Sequence, residues 1–255
     1  MIVLLSPAKR LNFEMPNIAG KHSVPGYVDE STKIVEVLKK YSARKLQKLM
    51  DINDNLAESN YDRFQNWEPE FNETVARPAI LAFRGDVFLG MDPQSFGKDD
   101  FDFAQDHVRI LSGLHGILKP LDLIRPYRLE MGTSLKIGRS KNLYEFWQEK
   151  ITTDIIGSDT YKQDKTIINL ASKEYFSAVD RKKIDGRIIE PAFKENRNGS
   201  YKPVHIFMKR ARGLMTSYIV KNKIIDANQL KLFNMDGYEY NDRLSNGDHW
   251  VFTRG

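Results

Sequence analysis

The chain has 255 residues, 41% of them hydrophobic, which is enough for a well-buried core, and its lack of cysteine excludes disulfides, thiolate metal sites, iron–sulfur clusters and thiol redox chemistry. Thirty-nine Lys and Arg against 34 Asp and Glu give a net charge of +5 and a pI near 9.1, a mild excess that permits nucleic-acid binding without demanding it. No apolar run approaches the roughly 18 residues of a membrane span, and the opening MIVLLSPAKR reaches a proline and two cations too soon for a signal peptide, so a cytoplasmic location is expected.

Residues 1–5 are all apolar, the pattern of a fully buried central strand. Helical spacing follows over residues 27–50, with a break near Ser42, and over residues 53–67, with a stop at Pro69. Residues 79–88 fit a buried helix or a strand equally well. Phe101, Ala104, Val108 and Leu111 recur at helical spacing behind Asp99, Asp100 and Asp102, which predicts a helix ended by Gly113. A helix over 143–156 precedes a strand at 166–170 and a short helix opened by Ser172. Strands are expected at 187–193 and 203–207, joined through a turn at 196–200, then a helix from about 210 to 223, and a closing hairpin of 237–241 with 248–253 around Asn246-Gly247. With no repeat, linker or composition break, the economical reading is a single compact α/β or α+β domain over residues 1–255, a mixed sheet flanked by helices.

Gly113 and Gly116 bracket Leu114 and His115, and Lys119, Arg125, Tyr127 and Arg128 follow closely. One reading is an ordinary helix C-cap and buried connection. The other is a phosphate-contacting hairpin, because cations beside exposed backbone donors are what phosphate binding requires. Two residues between the glycines, rather than one, depart from the ordinary helix-hairpin-helix consensus.

Three apolar segments end in a small residue followed at once by cations: LLSPAKR, NLASKEYF and IFMKRARGLM. In mostly parallel sheets the carboxyl ends of strands share one crevice, so these segments should converge on an anion. Lys209, Arg210 and Arg212 fall in the expected first helical turn, where the macrodipole disfavours cations unless something offsets them. Ser6 and Lys9 match a Ser-x-x-Lys spacing, but Ser before Pro is also ordinary helix capping, and the companion motifs of penicillin-recognising enzymes are absent. His22, His107, His115, His205 and His249 show no metal-ligand spacing, so neither a metal nor a cofactor is expected.

In this order, VLLSPAK, LAFRGDVFLG, DFDFAQDHVRILSGLHGILKPLDLIRPYRLEMG, NLASKEYF and KRARGLM resemble the YaaA family of bacterial peroxide-stress proteins over essentially the whole chain. The resemblance implies a cytoplasmic α/β protein with a helix-hairpin-helix-like element and a positively charged cleft. It also implies double-stranded DNA binding and a role in hydrogen peroxide stress, limiting unincorporated iron and oxidative damage. The hairpin then maps to residues 112–119, including Gly113, His115, Gly116 and Lys119. Strand-end reasoning assigns the cleft to Lys9, Arg125, Arg128, Lys173, Lys209, Arg210 and Arg212. No recognition-helix pattern argues for base readout, so the expected partner is duplex DNA without sequence specificity and without a membrane. The rival expectation is an enzyme acting on a nucleotide or other phosphorylated small molecule in the same cleft.

Overall fold

The computed structural model describes residues 1–14 and 16–255. Its first half runs β1 (Ile2–Leu5), β2 (Arg10–Leu11), α1 (Val28–Leu38), α2 (Ala43–Met50), α3 (Asp54–Gln65), β3 (Arg77–Pro78), α4 (Ala79–Ala82), β4 (Phe83–Arg84), α5 (Asp86–Met91), α6 (Lys98–His107), β5 (Val108–Ser112), β6 (Gly116–Leu118) and β7 (Leu123–Ile124). The second half adds α7 (Leu143–Gly157), α8 (Asp159–Asp164), β8 (Thr166–Asn169), α9 (Lys173–Phe176), β9 (Arg187–Arg197), β10 (Ser200–Lys202), α10 (His205–Lys221), β11 (Glu239–Tyr240) and β12 (His249–Arg254).

The main sheet follows the order β11-β12-β9-β8-β1-β5-β6, with β10 on β9. β1 pairs in parallel with β5 and β8, β8 with β9, and β9 with β12, while β6, β10 and β11 add antiparallel neighbours. This is the expected mixed α/β sheet, and its centre is the all-apolar opening run, buried at every position because helices cover both faces of a parallel sheet. Ser42 and Asn53 cap α2 and α3 through their side chains, as the sequence breaks predict. The closing hairpin also forms, with β11 antiparallel to β12. Among the described residues no helix is long and apolar enough to cross a membrane.

Two elements depart from the sequence reading. The helix predicted through Leu111 stops at His107, and residues 108–112 form β5, buried throughout. Val108 and Leu111 fit a helical period behind Ala104, but the whole segment is buried on both faces as a central strand is, and its β-branched Val108 and Ile110 pair with β1. The strand expected at 203–207 is instead the start of α10, so Lys209, Arg210 and Arg212 lie beyond its first turn. No side chain caps this helix, and Val204 precedes it, so the sequence carries no start signal.

α10 crosses α5 with backbones touching. A Cβ built on Gly213 would lie 1.9 Å from the Val87 carbonyl oxygen, and one on Gly90 would lie 2.2 Å from that of Arg210. Only glycine permits this approach, which fixes Lys209 and Arg212 over the start of α5.

Two buried titratable groups at opposite ends of the sheet, Asp122 near the amino ends of the parallel strands and His115 just past the carboxyl end of β5, give the protein a distinctive pH signature. Burial raises Asp122 to about 6, against hydrogen bonds from Ser23 and the Lys119 N–H, and burial raises Asp154 as well. His115, fully buried, is held down at about 3 by desolvation. Because the Ser31 hydroxyl donates to the Tyr27 carbonyl, His115 Nδ1–H donates to Ser31 Oγ and leaves Nε2 a bare lone pair. Between about pH 3 and 6.5 the unfolded chain protonates this histidine and the folded one does not, so stability rises with pH. Between 3.8 and about 6 the folded chain keeps the Asp122 proton longer, so that contribution falls with pH. The two slopes oppose. Asp122→Asn should therefore steepen the rise of stability from pH 4 to 6 by up to about 1.4 kcal/mol per pH unit, measured by urea unfolding across that range; curves parallel to the parent's would contradict it.

Candidate functional site

A cavity of about 780 Å³ opens at the carboxyl ends of β1 and β8, where α5, α10 and the 127–130 loop enclose it. β1 ends at Leu5 and delivers Ser6; β8 ends at Asn169 and delivers Ser172 at the start of α9. The Ser6 hydroxyl accepts the Ser172 N–H at 2.8 Å and donates to Ser172 Oγ at 3.2 Å. These bonds lock two strand ends together. No helix begins at Ser6, so neither the capping reading nor a helical Ser-x-x-Lys pair applies to residues 6–9.

The rim and walls carry Lys9, Arg10, Arg84, Arg128, Lys209 and Arg212 against Asp86, Glu130 and Glu174. Glu130 is committed: it takes Lys9 Nζ at 2.8 Å and Arg128 Nη2 at 2.9 Å. Glu174 spends one oxygen on the Gly132 N–H at 3.0 Å. Tyr127 is fixed by a 2.7 Å bond between its hydroxyl and that of buried Ser112, and burial pushes both Tyr127 and Tyr175 well above the ordinary phenol range. They are hydrogen-bonding walls and not bases.

Two features mark the cavity as an anion site. Arg212 has its Nε sealed from solvent with no acceptor, and burial alone lowers its pKa, with no carboxylate to oppose the shift. Arg128 Nε is likewise sealed and unbonded. The second feature is the ribbon of β2 and β4, which sets Arg10 directly opposite Arg84. Like charges across an antiparallel pair repel, and a buried guanidinium without a counter-charge is costly. A bound anion relieves both.

Of the residues expected at a DNA-binding site, Lys9, Arg128, Lys209 and Arg212 line this cavity. Arg210 neighbours it on α10 with its carbonyl against Gly90, and Lys173 is exposed on α9 outside the lining. Arg125 is turned away, paired with Glu68 at 3.6 Å and with the Asn66 carbonyl at 3.3 Å. Lys119 follows β6, which runs antiparallel to β5, so it lies at the opposite edge of the sheet.

The expected helix-hairpin-helix element is a turn between two strands. Gly113, His115 and Gly116 are all buried, and a Cβ on Gly116 would strike the Trp147 ring at 2.5 Å. Its backbone donors face the core, where Ser112 Oγ accepts the His115 N–H at 2.9 Å.

Arg84 and Asp86 went unread in the sequence, and Arg10 was read only as one of the cations that close LLSPAKR. Arg10 and Arg84 meet only through strand pairing, and no spacing signals a contact between segments so far apart.

The sequence profile of the family described as "peroxide stress protein YaaA" matches residues 1–244. A "UPF0246 protein" from Saccharophagus degradans is 49% identical over 255 residues, covering 100% of this chain and 99% of that protein. Proteins of the same description from Colwellia psychrerythraea and Teredinibacter turnerae are 46% and 45% identical over 254 residues, again covering 100% of this chain and 99% of theirs.

Proposed function

We propose, because this chain belongs to the peroxide stress protein YaaA family, that it is a DNA-binding protein of the peroxide response whose strand-end cavity holds a phosphate-bearing part of the strand. The observation that carries the reading is the half-buried guanidinium of Arg212, which has no hydrogen-bond or ion-pair partner among the described residues. Arg10 opposite Arg84, with Lys209 above, supplies the surrounding positive field. DNA phosphates so occupied release their condensed counterions, which makes the binding salt-dependent. The buried 112–116 turn takes no part.

Salt dependence tests this. Each true phosphate contact contributes roughly 0.9 to the slope of log affinity against log salt on duplex DNA. Lys209→Ala and Arg212→Ala should each reduce the slope by about that amount, whereas Lys119→Ala and Arg125→Ala, away from the cavity, should leave it unchanged. Equal effects from both pairs would overturn the assignment of binding to the cavity.

A second reading, an enzyme acting on a nucleotide or other phosphorylated small molecule, is favoured by one observation. The volume of about 780 Å³ falls within the range of small-ligand pockets, roughly 300–1,000 Å³.

A further inference from the structure

The cavity is much larger than a phosphate needs, and its chemistry is not that of a phosphate site alone. A site for a bare phosphodiester would present donors only. This one also presents acceptors: Asp86 makes no side-chain hydrogen bond or ion pair among the described residues, and Glu174 keeps one oxygen free after binding the Gly132 N–H. Both carboxylates would repel a phosphate beside them. Unspent donors at Arg212 and Arg128 thus share one enclosure with unspent acceptors at Asp86 and Glu174. The complement of such a surface carries an anion at one end and N–H or O–H donors at the other.

We infer that the cavity takes one whole nucleotide unit, its phosphate on Arg212 and the donors of its base or sugar on Asp86 and Glu174. A backbone phosphate of an intact duplex can reach Arg212 at the cavity, but its paired and stacked bases cannot follow, so a whole nucleotide unit enters either from a strand end or unpaired position, or as a free nucleoside monophosphate. Apolar contact with Phe88 and Leu129 on the lining suits the face of a base. This inference rests on the phosphate reading above and names what accompanies the phosphate.

The test compares the parent protein, by fluorescence anisotropy, on a fully paired duplex sealed at both ends by hairpin caps and on the same duplex carrying one unpaired nucleotide. Deoxynucleoside monophosphates and inorganic phosphate serve as competitors. The expected result is about tenfold tighter binding to the unpaired site, as contact with one extra base would give, and competition by the monophosphates at concentrations where inorganic phosphate has no effect. Asp86→Ala, checked for an unchanged thermal melt, should shrink the preference to below about threefold. Equal affinity for the two duplexes, with monophosphates competing no better than phosphate, would overturn the nucleotide inference and leave the DNA reading intact. Monophosphate binding with no affinity for either duplex would uphold the nucleotide unit, assign it to the free source and overturn the DNA reading. No binding of either kind would overturn both.

Discussion

Arg212→Ala should weaken DNA binding by about 2–4 kcal/mol, some 30-fold or more, while leaving the melting temperature level with the parent or above it. The loss follows from partial burial, since an anion on this half-buried guanidinium is less screened by water than one on an exposed rim charge and its attraction is correspondingly stronger. The stability clause follows from the free protein, where the side chain is half-buried with its Nε sealed and unbonded and no carboxylate paired with it. Truncation removes an uncompensated charge. Lys209, exposed on the same helix, should cost less, about 1 kcal/mol, and be more easily screened by salt. Anisotropy and calorimetry on the same samples check both clauses; a variant that melts early and binds as tightly as the parent would make Arg212 a packing residue.

Gly116→Val should cost the fold about 4 kcal/mol or more. Gly116 holds φ at +69°, in the left-handed region that β-branched residues avoid. Its missing Cβ is also filled by Trp147, which is fully buried and tethered by its Nε1–H to the Gly113 carbonyl at 2.9 Å. The indole cannot step aside without losing that bond and opening a cavity. Denaturant unfolding measures the loss. A variant as stable as the parent but weakened for DNA would return the turn to the surface and to phosphate binding.

Much of the frame was legible because burial and pattern coincide there. An unbroken apolar run such as residues 2–5 has few homes besides the centre of a parallel sheet, and Ser42 and Asn53 announce their helices by capping them. The convergence of Ser6 and Ser172 was legible too, since strand ends in a parallel sheet share an edge. Illegible features are those fixed by contacts distant in sequence. Nothing beside Gly116 announces that Trp147 covers it, so glycines near cations read as an exposed turn. The start of α10 lacks a capping residue, and residues 204–207 look strand-like, which displaced Arg212 into a first turn it does not occupy. Arg10 and Arg84 become neighbours only when β2 meets β4.

The central claim is that Arg212 meets the phosphate of a bound strand, and the side-chain Nε–H resonance of that arginine reports it most directly. On titration with duplex DNA, the resonance assigned to Arg212 by its loss in Arg212→Lys should move as a phosphate engages the terminal nitrogens of this unpaired guanidinium. Arg125, held by Glu68 and the Asn66 carbonyl, should stay in place. DNA binding that leaves the Arg212 resonance unmoved would contradict the account.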